Sequence, residues 1–298
     1  MIDIRSKAAW ISVFSNLFLM TSKFIVGVMI ASISIISEAI HSANDLLASF
    51  IALFAVKTSS KPPDKEHPYG HGKIENISGT IEALLIFLAA ALIIKEAVGK
   101  ILHGGEMLDV GWGIVVMGVS ALLNLLVSNY LLKVGKETDS VALEADGMHL
   151  RTDVYTSLGV FIGLLLIKIT GYIIIDPIAA IVVALLIIKA AYDLTRKAFF
   201  PLIDTAMDEE KVKIVESILE EYRSEFISYH KLRTRKAGRE SHIDLHILVE
   251  PERSIREAHK LCDAIEERIK EQIPYSTILI HVEPAFEDYD RGFPQNNK

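Results

Sequence analysis

Long apolar segments dominate the first two-thirds of this sequence and restrict what the chain can fold into. Six segments of membrane-spanning length contain few charged side chains, at residues 8–30, 36–56, 77–98, 110–132, 148–169 and 173–194. About 20 apolar residues in an α-helix cross the hydrocarbon core of a bilayer. Because lipid offers no hydrogen-bond partners, such segments must bond their own backbone groups as helices. The sequence therefore predicts an integral membrane protein built as an α-helical bundle of six transmembrane helices.

The distribution of basic residues predicts how the bundle is oriented. Few lie in the odd-numbered connections between helices, chiefly Lys100 and Lys168. The N-terminus, the second and fourth connections and the segment after the last apolar run carry Arg5, Lys7, Lys57, Lys61, Lys65, Lys73, Lys133, Lys136, Arg196 and Lys197. Cytoplasmic loops carry an excess of lysine and arginine. We therefore expect a multi-pass protein of the cell (plasma) membrane with both termini in the cytoplasm.

A soluble domain is predicted after Leu202, where charged and apolar residues begin to alternate. Helical periodicity covers residues 208–224 and 255–272, and strand patterns cover 229–235, 242–249 and 277–282. This order of elements indicates a small two-layer α+β domain. We assign residues 1–204 to the membrane domain, 205–285 to the cytoplasmic domain and the polar residues 286–298 to a disordered tail.

Composition argues against several classes of function. The formal net charge of −7 makes nucleic acid an unsuitable partner. A single cysteine, Cys262, excludes an intramolecular disulfide framework. No Walker-type Gly-x-x-x-x-Gly-Lys-Ser/Thr loop occurs in the sequence, which argues against direct use of ATP.

Two of the apolar segments carry the same pattern of ionisable residues. The second contains His41-Ser-Ala-Asn-Asp45, and the fifth contains His149-Leu-Arg-Thr-Asp153. A spacing of four residues places each pair on one helix face. Ionisable groups in a membrane are costly, and two such faces in contact would offer a tetrahedral nitrogen and oxygen set suited to Zn²⁺. A polar helix contact could explain one pair, but two identical pairs favour a metal transport site.

These motifs resemble those of the cation diffusion facilitator family, in its zinc-type bacterial or archaeal members, and the resemblance runs from the first helix to the last strand. It implies a homodimer that exchanges metal for protons, with six helices and a metallochaperone-like, ferredoxin-like cytoplasmic domain. The His–Asp pair on both helices is similar to that of zinc transporters. Relatives with Asp at the position of His41 have broader metal choice, so Cd²⁺, Fe²⁺, Co²⁺ and Mn²⁺ are alternative substrates.

The resemblance also implies two further metal clusters outside the membrane segments. The loop site, in the connection between the second and third helices, comprises Asp64, His67 and His71. The cytoplasmic site, a regulatory two-metal zinc site at the dimer interface, comprises His230, His246, His259, His281 and Glu283. For both clusters, solvated side chains that bind no metal remain the alternative.

Other polar residues within or near the apolar segments are Asn16, Lys23, Glu38, Glu82 and Asn124. Supporting contacts to a metal site, or a proton route, would explain them. Hydrogen bonds between helices, or side chains that extend toward the membrane surface, would explain them equally well.

The sequence favours a secondary transporter over an enzyme. Protons compete with metal for imidazole and carboxylate, so exchange of the two would couple their flows. The first alternative is an intramembrane zinc metalloenzyme, but catalytic zinc keeps an open position beside three protein ligands. Four ligands here would close the site, and no His-Glu-x-x-His motif occurs. The second alternative is a membrane metal sensor whose soluble domain signals to a partner.

Overall fold

The protein is represented by a computed structural model that describes residues 3–29, 33–103, 111–172 and 174–285. The chain folds as two compact units, Met1–Leu202 and Ile203–Lys298. The tail predicted over residues 286–298 lies outside the described residues.

The first unit is a bundle of long helices. Within the described ranges it contains six, each long and apolar enough to cross a membrane, as the sequence predicts. Their bounds are α1 (Ile4–Met29), α2 (Ile33–Ser59), α3 (Lys73–His103), α4 (Gly111–Glu137), α5 (Val141–Thr170) and α6 (Ile175–Phe199). Most extend beyond the apolar runs because their terminal turns are polar.

The start of α5 differs most from its sequence prediction. The apolar run begins at residue 148, whereas the helix begins at Val141 and includes Glu144 and Asp146 in its first two turns. Both side chains are buried, and both carboxylate oxygens of Glu144 lie 2.7 Å from Lys197 Nζ of α6. The early polar turns therefore belong to the packed bundle, since a neighbouring helix supplies the opposite charge.

A buried ion pair joins the ends of several helices. The side chains of Arg5 in α1 and Glu75 in α3 are fully buried, with Arg5 Nη1 2.7 Å from Glu75 Oε1. Ser59 Oγ donates to Glu75 Oε1 (2.6 Å), Ser140 Oγ donates to Glu75 Oε2 (2.5 Å), and Arg5 Nη2 donates to Ser60 Oγ (2.7 Å). A buried charge pair is tolerated only when such hydrogen bonds satisfy its remaining polar atoms. The network thus fixes α1, α2 and α3 to the N-terminus of α5.

Close contact between α5 and α6 depends on a glycine. A Cβ atom at Gly159 would lie 2.5 Å from Val183 Cγ2, which is closer than van der Waals contact permits. Val183 has a stiff, β-branched side chain and cannot rotate away freely. The missing side chain therefore sets how closely the two helices pack.

The second unit has two layers, as predicted. Its elements are α7 (Glu209–Glu221), β1 (Ser228–Ala237), β2 (Glu240–Val249), α8 (Ile255–Gln272) and β3 (Ser276–Pro284). The sheet order is β1-β2-β3, with β1 antiparallel and β3 parallel to β2. Both helices contribute to one apolar core with the sheet, which includes Ile218, Ile247 and Ile265. A capping box between Ser254 and Glu257 fixes the start of α8.

Replacing Gly159 by Ala tests the packing of α5 against α6. We expect Gly159→Ala to lower the free energy of unfolding by about 1–3 kcal/mol, because the added methyl group overpacks the helix contact. Thermal unfolding of the detergent-solubilised chain measures the change. The matched control is Gly118→Ala in α4, where a Cβ atom meets nothing within 4 Å. Equal midpoints for the two variants would contradict this account.

Candidate metal centres

The two His–Asp pairs meet between α2 and α5. His149 Nε2 lies 3.3 Å from Asp45 Oδ1, and His41 Nε2 lies 3.7 Å from Asp153 Oδ1. His41 Nε2 is also 4.0 Å from Asp45 Oδ1. The ligand atoms of His41, Asp45 and Asp153 lie within 4.8 Å of one another, and His149 joins this group through its contact with Asp45.

The distances in this cluster suit a small tetrahedral ion. Ligand atoms that lie about 2.0–2.1 Å from Zn²⁺ at tetrahedral angles are about 3.3 Å from one another. The measured separations between His and Asp atoms run from 3.3 to 4.0 Å. The three printed contacts are therefore within about 0.7 Å of the separation that tetrahedral zinc requires.

Two polar atoms of the cluster have no hydrogen-bond partner among the described residues. They are Asp153 Oδ2 and His149 Nδ1, both buried. Burying a polar atom without a partner is unfavourable, so a bound cation is one means of satisfying the carboxylate. The side chains of Asp45 and His149 are 5% and 12% exposed, whereas that of His41 is 55% exposed. The cluster is therefore enclosed by protein at Asp45 and His149 and open at His41.

Polar side chains of α1 support the α2 side of the cluster. Asn16 Nδ2 donates to Ser49 Oγ (2.6 Å), and Ser49 Oγ lies 3.1 Å from the backbone oxygen of Asp45. Lys23 Nζ donates to Ser42 Oγ (2.9 Å) and lies 3.3 Å from Glu38 Oε2. Three of the uncertain polar residues, Asn16, Lys23 and Glu38, thus hold α1 and α2 together near the metal ligands.

The loop between α2 and α3 forms a second cluster. Asp64 Oδ1 lies 3.3 Å from His67 Nδ1, and Asp64 Oδ2 lies 3.4 Å from His71 Nε2. The loop turns tightly at Gly70, whose φ of 82° is readily adopted only by glycine. The backbone N–H of His67, then that of Glu66, donates to Asp64 and lowers the pKa of this carboxyl below its ordinary value. Asp64 therefore stays ionised and able to bind a cation.

The third cluster lies on one face of the sheet in the second unit. Strand register places His230, His246 and His281 side by side on β1, β2 and β3. Glu283 Oε1 lies 2.7 Å from His246 Nδ1 and 3.6 Å from His281 Nε2, and Glu283 Oε2 lies 3.4 Å from His230 Nε2. One carboxylate thus contacts all three imidazoles.

His259 is the one predicted member that does not join this cluster within the chain. It lies on α8, is 74% exposed, and pairs with Asp263 at 3.6 Å. Helix α8 packs on the face of the sheet that carries Ile243, Leu245 and Ile247. Because side chains alternate along a strand, His246 points to the opposite face. His259 therefore cannot reach the other histidines of its own chain.

Burial changes the titration of His230. Removal from water lowers the pKa of His230 below its ordinary value, and the neighbouring His246 adds to this effect while Glu283 opposes it. The strand register shifts just after His230, where Lys231 has a φ of 51°. This β-bulge interrupts the pairing of β1 with β2 directly after the aligned residues His230 and His246. A neutral His230 is the form that binds metal.

Sequence reasoning did not single out two residues beside the transport site. Asp146 lies three residues before His149, and Ser49 lies four residues after Asp45. Ser49 Oγ is 3.1 Å from Asp146 Oδ1, so the two residues link α2 to α5. The spacing of Asp146 from His149 was the available signal, because i and i+3 share a helix face.

Comparison with known protein families covers both units. Residues 9–203 match the family described as "Cation efflux transmembrane domain". Residues 207–285 match "Cation efflux protein, cytoplasmic domain".

Three curated relatives match most of the chain. An uncharacterized transporter of Synechocystis is 34% identical over 85% of this chain and 82% of its own length. An uncharacterized transporter of Methanocaldococcus jannaschii is 34% identical over 92% of this chain and 96% of its own length. The manganese efflux system protein MneP of Bacillus subtilis is 30% identical over 96% of this chain and 98% of its own length.

The lowered pKa of His230 predicts how the stability of the second unit depends on pH. Without metal, protonation of His230 is less favourable in the folded state than in the unfolded state. Stability should therefore be fully present above about pH 6.5, the ordinary histidine value, and fall as the pH drops below it. Denaturant unfolding of the second unit within the full chain, followed across this range, measures the dependence.

His230→Gln should flatten this pH dependence because it removes the titrating group. His259→Gln is the matched control, since His259 is exposed and lies outside the cluster. An equally steep loss of stability in wild type and His230→Gln would show that His230 does not cause it.

Proposed function

We propose that this chain, which belongs to the cation diffusion facilitator family of cation efflux transporters, exports Zn²⁺ from the cytoplasm in exchange for protons. Its substrates are divalent metal ions, and the family is one of transporters and not of enzymes. The observation that carries the proposal is the meeting of two His–Asp pairs between α2 and α5.

The position of this cluster supports transport. Two of its ligands come from each of two helices that are long enough to span a bilayer. Transporter sites lie between such helices and open to each side in turn. An ion held there can be released to either face when the helices change their packing.

The donor set supports zinc as the physiological ion. Two imidazole nitrogens and two carboxylate oxygens are a common tetrahedral set for Zn²⁺. Manganese is the second candidate, because the Bacillus subtilis relative is a manganese efflux system protein. Mn²⁺ prefers more oxygen ligands than this cluster offers. We therefore place Zn²⁺ first, with Cd²⁺, Fe²⁺, Co²⁺ and Mn²⁺ as weaker substrates.

The chemistry of the ligands supports exchange with protons. Imidazole and carboxylate bind metal only when deprotonated, so arrival of an ion expels protons and arrival of protons expels the ion. If the two forms face opposite sides of the membrane, an inward proton gradient drives metal outward. The basic residues at the N-terminus and in the even-numbered connections support cytoplasmic termini in the cell membrane.

The other two clusters support a regulatory role. Asp64, His67 and His71 lie in the loop that connects α2, which carries the transport site, to α3. The His230–His246–His281–Glu283 cluster offers ligands on an open sheet face, and His259 could complete it only from a second copy. We propose that the chain forms a homodimer in which zinc bridges the two cytoplasmic domains. Because zinc would bind the paired domains more tightly than the separated ones, it would stabilise the paired state.

The first test of the function concerns metal choice. Asp45→Ala and Asp153→Ala should each abolish metal flux in proteoliposomes, because three remaining ligands leave the ion under-coordinated. His41→Asp should increase Mn²⁺ flux relative to Zn²⁺, because it exchanges a nitrogen ligand for oxygen. His103→Asp is the matched control, since His103 is exposed at the end of α3 and hydrogen-bonded to the Gly99 backbone.

Variants of the cytoplasmic cluster complete this experiment. His246→Ala should change the zinc concentration at which flux rises and leave ion preference unchanged. Equal Zn²⁺ and Mn²⁺ flux through the unmodified chain would contradict the zinc assignment. Altered ion preference in His246→Ala with an unchanged activation curve would contradict the regulatory role.

The second test concerns proton exchange. Free imidazole titrates near ~6.5, so the affinity for Zn²⁺ should fall as the pH drops through that region. In proteoliposomes with zinc inside, an inward proton gradient should accelerate zinc efflux from the molecules whose cytoplasmic side faces the lumen. An ionophore that collapses the gradient is the control. Zinc flux that is unaffected by the gradient would rule out antiport.

A further inference from the structure

A lysine is buried between α1 and α2, beside the proposed metal ligands. Lys23 of α1 is 6% exposed. Its Nζ donates to Ser42 Oγ at 2.9 Å and lies 3.3 Å from Glu38 Oε2. Ser42 directly follows the ligand His41 in α2. A fixed positive charge beside a site for divalent cations repels the ion that the site must bind, so Lys23 calls for a physical explanation.

The partner of this lysine, Glu38, lies on the same face of α2 as two of the ligands. Glu38, His41 and Asp45 follow one another at spacings of three and four residues. Side chains at these spacings are neighbours on a helix surface, with Cβ atoms about 5–6 Å apart. The Glu38 carboxylate is therefore the next cation-binding group along this face after the transport ligands.

Exposure increases along this face toward the start of α2. The side chain of Asp45 is 5% exposed, whereas those of His41 and Glu38 are 55% and 41% exposed. Ionisable side chains that face lipid are unfavourable, so in membrane proteins they line hydrated openings. The face from Asp45 to Glu38 thus forms a passage from the enclosed ligands to water.

The passage leads away from the loop site. The apolar span of α2 begins at Glu38 and ends at Ser59, and the loop site follows that second end. In the orientation proposed from the basic residues, the even-numbered connections are cytoplasmic. Glu38 is then at the outer end of α2, where an exported ion leaves the protein.

Lys23 and a metal ion compete for the same carboxylate. Lys23 contacts Oε2 of Glu38, and a carboxylate has a second oxygen with which to bind a cation. A divalent ion bound at Glu38 would lie beside the ammonium group of Lys23. Because two positive charges at such a separation repel one another, the ion would be held only weakly.

We propose that Glu38 is a relay ligand for the exported ion and that Lys23 keeps this relay weak. The ion moves from the four-residue cluster to His41 and Glu38, which share one helix face. The ammonium group of Lys23 then favours release of the ion to water and pairs with the carboxylate again. This inference rests on the proposed function, since it needs a divalent metal ion that crosses the membrane at this cluster.

The alternative is an ion pair that only holds α1 to α2. Replacing either partner of such a pair removes the same contact, so both replacements would destabilise the chain in the same way. The relay predicts opposite effects on zinc affinity, because one replacement removes a positive charge and the other removes a negative charge.

The first measurement is the dissociation constant of Zn²⁺ for the detergent-solubilised full chain, by calorimetry. The binding heat that is lost in Asp153→Ala identifies the transport site. Lys23→Met should lower the dissociation constant of that site by about tenfold, because a repelling charge is removed. Glu38→Gln should raise it by a similar factor, because the ammonium group loses its carboxylate. The double variant should bind Zn²⁺ like wild type.

The second measurement is Zn²⁺ flux in proteoliposomes. Lys23→Met should lower both the half-saturating Zn²⁺ concentration and the maximal flux, because the ion leaves the relay more slowly. The double variant should also have a lower maximal flux, although it binds Zn²⁺ like wild type. It lacks the carboxylate that draws the ion out of the cluster.

Glu96→Gln and Lys100→Met are the matched controls. These two residues form an ion pair of the same chemistry at 3.4 Å on α3, which contributes no proposed transport ligand. Both variants should keep the wild-type dissociation constant and the wild-type maximal flux.

The outcomes separate this inference from the proposed function. Wild-type maximal flux in the double variant would overturn the relay, since the carboxylate would then be unnecessary. Equal losses of thermal stability in the two single variants, with unchanged dissociation constants, would indicate a structural pair and also overturn it. If the unmodified chain carries no Zn²⁺ across the membrane, the proposed function fails and the relay fails with it.

Discussion

The unfavourable transfer of charge into an apolar medium organises the bundle. Isolated ionised groups in a bilayer are destabilising by several kcal/mol, so they survive only where partners, hydrogen bonds or ligands offset the loss of hydration. Each buried charge of the first unit follows this rule differently. Arg5 neutralises Glu75 and Lys197 neutralises Glu144. The proposed transport ligands combine two carboxylates with two imidazoles.

Helix α5 runs through all of these polar groups. The hydroxyl of Ser140, at its N-cap, donates a hydrogen bond to Glu75. Asp146 lies 3.1 Å from Ser49 of α2, and His149 and Asp153 belong to the proposed transport site. At 1.5 Å per residue, the distance from Ser140 to Asp153 is about 20 Å along one rigid helix. A displacement of α5 therefore changes every one of these contacts together. If metal binding displaces α5, the contacts at its N-terminus therefore change directly, because the same helix carries both.

The sequence predicts features that depend on local periodicity and not those that depend on tertiary contacts. Apolar runs predict six helices, because a segment that crosses lipid must be long, apolar and helical. The i, i+4 spacing predicts that each His–Asp pair shares one helix face. The same reasoning starts α5 seven residues late, because it cannot recognise that Lys197 neutralises Glu144. His259 enters its cluster by resemblance, and only strand alternation and helix packing place it on the other side of the sheet.

Within one copy, the histidine cluster on the sheet of the second unit offers three ligands to a single ion. Adjacent strands lie about 4.7–4.9 Å apart, and the imidazole centroids of His230, His246 and His281 are separated by 5.1 and 4.7 Å along the row. His230 and His281 lie on the outer strands, about two strand spacings apart, so one ion cannot bind both. The ligand atoms of His230, His246 and Glu283 lie within 4.8 Å of one another. The row lies on the face without α7 and α8, and its His281 side chain is 61% exposed. We propose that a fourth ligand comes from a second copy of the chain, whose exposed His259 has suitable chemistry. Binding of a metal at this cluster would therefore depend on the pairing of two domains more than on the folding of one.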